Sequence, residues 1–126
     1  VLRPDSSFRG YAGAVAHGRV APGDAVRVQP SNVAAGIERV LVGGKEVDAA
    51  HAGQAVVVTL DRERDVSRGD VLSAADAPLP VSDQFVAHVV WMDEAPLVPG
   101  RGYWLRIGTR EVAATVTEIS HRIDVN

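Results

Sequence analysis

An all-β fold is predicted from three observations: turn signals recur at short intervals, the runs between them alternate or are wholly apolar, and no window carries a sustained helical stripe. The turn signals are Pro22-Gly23-Asp24, Gly43-Gly44, Gly53, Gly69-Asp70 and Pro99-Gly100. In Ala25-Val26-Arg27-Val28-Gln29 the two valines share one face and the polar residues the other, as a half-buried strand requires. Residues 33–41 contain Ala and Leu, but Gly36 and the β-branched residues argue against a helix there. Ala55-Val56-Val57-Val58-Thr59-Leu60 is too apolar for a half-exposed strand and reads as buried on both faces. Phe85 through Met92 places Phe85, Ala87, Val89 and Trp91 on one face, and Tyr103–Ile107 and Val112–Ile119 behave similarly. Short strands with regular punctuation indicate a sandwich or a barrel.

At 126 residues the chain is sized for one domain or two small ones. A boundary is expected near residues 76–84, where Pro78 and Pro80 suppress pairing and favour an extended connector. The unit before this boundary is large enough to fold alone. The unit after it is short for a closed β domain and reads as truncated, with open edges that invite self-association. The start, Val1-Leu2-Arg3-Pro4-Asp5, lacks an initiator Met and resembles no signal peptide, so a cut from a longer protein is expected.

Composition narrows the function classes. The chain is 46% hydrophobic and 23% charged, and its apolar load is mostly Val and Ala, which suits strands with many small contacts. A net charge of −3 lacks the basic footprint of a nucleic-acid reader. There is no cysteine, so disulfides and thiolate metal sites are excluded. No apolar run approaches the roughly 20 residues of a membrane-spanning helix.

The motifs that invite a catalytic reading fail on their chemistry. Gly43-Gly44-Lys45 has Arg39 where a phosphate loop needs its first Gly, and Glu46 where it needs the Mg²⁺-binding hydroxyl; a hairpin turn is expected instead. Gly100-Arg101-Gly102 begins like a dinucleotide fingerprint, but Leu105 takes the third Gly position and a strand comes next. Arg68-Gly69-Asp70 leads straight into Val71-Leu72, as a turn before a strand does. His17, His51, His88 and His121 have no metal-ligand spacing, although His88 and His121 lie in neighbouring strand candidates. The alternating charges of Asp61-Arg62-Glu63-Arg64-Asp65 suit a solvated loop, and Asp93-Glu94 has no partner for acid–base work. Ser6, Ser7, Ser67, Ser73, Ser82 and Ser120 sit in no nucleophile elbow. No catalytic, cofactor-binding or metal residue is expected in this chain.

One feature calls for a partner. Tyr103 and Trp104 are consecutive, so in a strand their rings point to opposite faces and only one can enter the core of a one-sided sheet. The other is expected to contact a neighbouring domain or subunit, as exposed aromatics often do; the alternative is a second core covering that face.

The segment Phe8-Arg9-Gly10-Tyr11-Ala12-Gly13, followed by Gly18-Arg19-Val20-Ala21-Pro22-Gly23-Asp24, resembles the second domain of translation-factor-type GTPases. Ala52-Gly53-Gln54-Ala55-Val56 and Ser67-Arg68-Gly69-Asp70-Val71-Leu72 continue that likeness. Later steps are more specific. Ala75-Asp76-Ala77-Pro78, Asp83-Gln84-Phe85, Ala87-His88, Val90-Trp91-Met92-Asp93-Glu94, Pro96-Leu97 and Pro99-Gly100-Arg101 resemble the GTP-binding regulatory subunit of bacterial sulfate adenylyltransferase. So do Ile107-Gly108-Thr109-Arg110, Ala114-Thr115-Val116-Thr117-Glu118-Ile119 and His121-Arg122-Ile123-Asp124-Val125-Asn126. The resemblance covers essentially the whole chain.

That resemblance implies a translation-factor-type β-barrel over residues 1–76, a linker over 77–83 and the beginning of a second, incomplete barrel over 84–126. It also implies a parent that hydrolyses GTP and works with a smaller subunit, which transfers the adenylyl group of ATP to sulfate to give adenosine 5′-phosphosulfate and pyrophosphate. In some members the GTPase subunit is fused to an adenylylsulfate kinase. GTP and Mg²⁺ belong to the domain before this segment, so no nucleotide contact is carried onto these residues. The expected role is a non-catalytic relay in the cytoplasm, partnered by the GTPase domain and the adenylyl-transferring subunit, with no nucleic acid or membrane. The competing reading is a translation-factor barrel contacting tRNA or the ribosome, which the acidic balance and the Trp91-Met92-Asp93-Glu94 segment weigh against. A freestanding small-molecule barrel has no polar cluster to support it.

Overall fold

Ten strands form in the computed structural model, which describes Val1 and residues 8–123. The start at Leu2–Asp5, Ser6, Ser7 and the closing Asp124-Val125-Asn126 lie outside the described residues. No helix is present among the described residues, and none is long and apolar enough to cross a membrane. The chain divides into two units between Val81 and Ser82.

The first unit is built on a sheet in the order β1 (Tyr11–Ala14), β7 (Ala55–Leu60), β4 (Val33–Val42), β3 (Ala25–Gln29), β8 (Val71–Ala74), with β5 (Lys45–Glu46) also pairing β4. A separate two-stranded ladder joins β2 (Arg19–Val20) to β6 (Ala50–His51). All these pairings are antiparallel. β3 follows its sequence pattern, with Val26 and Val28 buried, although Gln29 is buried as well. β7 is buried on both faces only in its second half, where Val58, Thr59 and Leu60 are all covered. The core gathers Tyr11, Val26, Ala35, Ile37, Val40, Ala50, Val58 and Leu60 from β1, β3, β4, β7 and the β2–β6 ladder.

β4 is ten residues long because, besides the β5 hairpin at its end, it serves two neighbours in turn. Its first part pairs with β3, its second with β7, and an extra residue, Glu38, stands between the Ile37↔Leu60 and Arg39↔Thr59 pairs. Such a bulge bends the strand and sharpens its twist. Gly36 stands two residues before the bulge, opposite Ala25. A Cβ there would meet the Asp61 carboxylate at 3.0 Å, and that carboxylate accepts a hydrogen bond from the Gly36 amide at 2.9 Å.

Four tight turns share one construction, each with a positive-φ glycine in third place: 21–24, 51–54, 67–70 and 98–101. In three of them the fourth residue's side chain accepts a hydrogen bond from the first residue's amide. Asp24 closes on Ala21 at 2.9 Å, Gln54 on His51 at 2.7 Å and Asp70 on Ser67 at 2.9 Å. The lookalike phosphate loop is the β4–β5 hairpin: Gly43 and Gly44 have φ of 58° and 80°, which suits a two-residue turn joining right-twisted strands.

The second unit contains the hairpin β9 (Gly102–Ile107) and β10 (Arg110–Thr115), turned through Gly108 and Thr109. Two strand expectations are revised here. Residues 85–92 lie in no ladder, and the strand expected over Val112–Ile119 ends at Thr115. Alternation makes a segment fit for a sheet, but a strand also needs hydrogen-bonding neighbours. Residues 85–92 have none among the described residues.

Candidate interaction surface

The hairpin register places Tyr103 opposite Ala114 and Trp104 opposite Ala113. Consecutive residues of a strand face opposite ways, so the two rings part as the sequence predicts. Tyr103, Leu105 and Ala114 lie on one face; Tyr103, Leu105 and Ala114 are half-buried. Trp104, Arg106, Glu111 and Ala113 lie on the other and are exposed.

Tyr103 is held within its unit by several contacts. Its ring meets Trp91 edge-on with centroids 5.5 Å apart, and Arg101 lies 5.9 Å above it. Its hydroxyl accepts a hydrogen bond from the Val98 amide at 2.9 Å. That bond completes the fourth turn: Arg101 stands where the other turns have an acceptor side chain, and the tyrosine hydroxyl supplies the missing oxygen. The Trp91 indole in turn donates to the Ala95 carbonyl at 2.7 Å, and Asp93 accepts from the Ala95 amide at 3.0 Å. This fixes Tyr103 as the inward ring.

Trp104 is 75% exposed and stacks on no other ring among the described residues. Beside it Arg106 donates twice to one Glu111 carboxylate oxygen, at 3.1 and 2.6 Å. A flat indole next to a held ion pair, with Ala113 opposite, forms an open platform that can lose water against a partner. Of the two expected contact residues, the structure leaves Trp104 available.

His88 and His121 do come together, with ring centroids 6.3 Å apart and an edge-on arrangement. No group of three or more His, Cys, Asp or Glu side chains is gathered to hold a metal among the described residues. In the first unit a shallow hollow of about 60 Å³ is lined by Arg9, Tyr11, Leu60, Arg62 and Glu63. Its charges are paired internally: Arg9 bonds Glu63 at 2.7 Å, and Arg62 bonds Asp61 at 3.1 Å. The Arg62 guanidinium first, and the Gly36 amide second, hold the Asp61 carboxyl below the usual carboxylate range. Arg9 also lies 5.6 Å over the Tyr11 ring, whose hydroxyl donates to the Arg64 carbonyl at 2.9 Å. These contacts tie residues 9–11 to the loop after β7 and leave no acid–base pair facing the hollow.

Residues 84–126 match the protein family described as GTP-eEF1A C-terminal domain-like. Among curated relatives, the chain is 55% identical over its full length to a bifunctional enzyme CysN/CysC of Xylella fastidiosa, covering 20% of that protein. It is 48% identical over its full length to a bifunctional enzyme NodQ of Rhizobium sp., again covering 20%. With sulfate adenylyltransferase subunit 1 of Tolumonas auensis it shares 46% identity over its full length and covers 27%. The chain thus spans about a fifth to a quarter of the length of these relatives. Among solved structures, the translation elongation factor SelB of Methanococcus maripaludis is similar in fold, with a TM-score of 0.73 and 24% identity, over 90% of this chain and 26% of that one.

Proposed function

We infer, from a chain homologous along its whole length to a segment of the sulfate adenylyltransferase subunit 1 and CysN/CysC proteins, that it is the non-catalytic β-barrel region after the GTPase core of such a subunit. Residues 1–76 form the second domain, 77–83 the connector, and 84–126 the first part of the third. The region relays the GTP state to the subunit that transfers the adenylyl group of ATP to sulfate. GTP and Mg²⁺ bind outside these residues, in the cytoplasm, and Trp104 meets the partner. The observation that carries this reading is 46% identity over the full chain to sulfate adenylyltransferase subunit 1.

The physics of the fold suits a relay. Loops held by a γ-phosphate and its Mg²⁺ relax on hydrolysis. A sheet tied by consecutive antiparallel ladders, as in the first unit, shifts as a body and carries that movement to a distant contact. The exposed indole of Trp104 offers the anchor type that dominates interface energetics.

Two measurements test the reading. In the full-length subunit, Trp104→Ala is expected to weaken affinity for the adenylyl-transferring subunit at least about tenfold, with the circular dichroism spectrum unchanged. Unaltered affinity removes Trp104 from the contact. The purified 126-residue chain is expected to give no saturable GTP binding in calorimetry, and a stoichiometry near one would refute the non-catalytic assignment.

A further inference from the structure

The register of β3 with β8 sets polar side chains together on one face of the pair. Arg27 stands opposite Ser73, and Gln29 stands opposite Val71, one diagonal step from Ser73. Val26, Val28 and Leu72 take the other face, towards the core. Gln29 and Ser73 are nonetheless buried, at 7% and 8% exposure. Native interiors almost always pair such groups, because a buried polar atom left alone is costly. Yet Gln29 Oε1 and Ser73 Oγ are closed off from solvent and have no hydrogen-bond partner among the described residues. Arg9 Nε shares that condition, but its guanidinium already bonds Glu63 at 2.7 Å.

The Gln29 amide is held from its other end, where Nε2 donates to Asn32 Oδ1 at 3.3 Å. Turning both amides over would put a donor where Oε1 stands, and that donor would need a partner just as much. Arg27 lies between the two groups on the same face and spends one N–H on the Asn32 carbonyl at 3.0 Å. Burial limits what the partner can be. Further protein can cover these oxygens more deeply, but it reaches them only by opening the sheet. The group that satisfies them is therefore small and already inside.

We propose that Gln29 and Ser73 share one internal water molecule. It donates to Gln29 Oε1 and exchanges a hydrogen bond with the Ser73 hydroxyl, with the Arg27 guanidinium as its third neighbour. About three hydrogen bonds are the usual complement of a buried water. This water ties β8 to β3 through side chains, in addition to their backbone ladder. The inference stands apart from the relay reading.

The test is a high-resolution crystal structure of the 126-residue chain, joined to a double-mutant cycle followed by urea unfolding. The crystal is expected to show an ordered water within hydrogen-bond distance of both oxygens. Gln29→Met and Ser73→Ala each remove one partner and strand the other, and each is expected to raise the unfolding equilibrium constant at least about fivefold. The double variant is expected to be no worse than the more damaging single change, because nothing is then left stranded. Effects that simply multiply overturn the shared water, as independent sites would give. So does a crystal in which Ser73 bonds Gln29 directly, or in which no water lies between them. Should a variant fail to fold, the parent crystal decides by itself.

Discussion

Residues 25–29 and residues 85–92 both read as strands in the sequence, the first by alternation and the second as an almost wholly apolar run, yet the first is an inner strand with both edges paired and the second lies in no ladder. Val26 and Val28 are covered because β4 and β8 flank their strand and the core lies beneath it. Phe85, Val89 and Val90 are uncovered, with no neighbour alongside among the described residues. The contrast extends to the units: every buried residue described belongs to the first, whereas Leu97, Tyr103, Leu105, Ala114 and Val116 of the second are only half-covered. A pattern specifies which side of a strand faces inward; burial depends on what the rest of the chain places there.

The largest test of this contrast is truncation of one aliphatic side chain in each unit. Ile37→Ala, at 2% exposure, is expected to cost about 2–5 kcal/mol by loss of burial and the cavity left behind, read as a lowered urea midpoint. Leu105→Ala is expected to cost less than about 1 kcal/mol, since its surface is already partly wet. Equal losses would break the comparison. Next in size is backbone strain. Gly44→Ala forces a side chain onto φ of 80° and is expected to cost about 1–2 kcal/mol in thermal unfolding, whereas Gly102→Ala meets open space and is expected to be near neutral.

A smaller effect probes the second unit's own organisation. Tyr103→Phe leaves the Val98 amide without its acceptor, and a loss of about 0.5–1.5 kcal/mol is expected. Faster hydrogen exchange at Val98, with exchange at Ala21, His51 and Ser67 unchanged, would locate the loss in that turn. The smallest effect is electrostatic. Asp61 titrates below its ordinary value because Arg62 and the Gly36 amide favour the carboxylate. Its folded-state pKa is therefore the lower one, so its contribution is present above about pH 3.9 and fades as pH falls through the folded value. Asp61→Asn is expected to change little at neutral pH, because the pair is exposed, and to flatten the acid limb of the stability profile.

Much of the first unit was legible in the sequence because its signals are local. Alternation gave β3, paired glycines gave the β4–β5 hairpin, and Gly-Asp steps gave two of the closed turns. The bulge at Glu38 was not legible, since it arises from β4 dividing itself between β3 and β7. The candidate surface was half legible. Adjacency alone separates the two rings of Tyr103 and Trp104, but choosing the outward one needs the burial of Leu105 and Ala114 and the reach of the tyrosine hydroxyl to Val98. No turn signal in the sequence marks that reach, because the usual acceptor is missing at Arg101 and is supplied from the next strand by Tyr103, two residues on.

The pairing of Tyr11 with Val58 has a consequence for how the chain acquires its shape. The β3–β4 hairpin closes over a short loop and can zip early, but β1 must wait for β7, which is made long after it. Closing so wide a loop costs chain entropy before any contact repays it, which marks a high-contact-order, slow-folding topology. During synthesis Tyr11 and the rest of β1 therefore stand uncovered until Leu60 has cleared the ribosome, and in that interval a chaperone has most to protect.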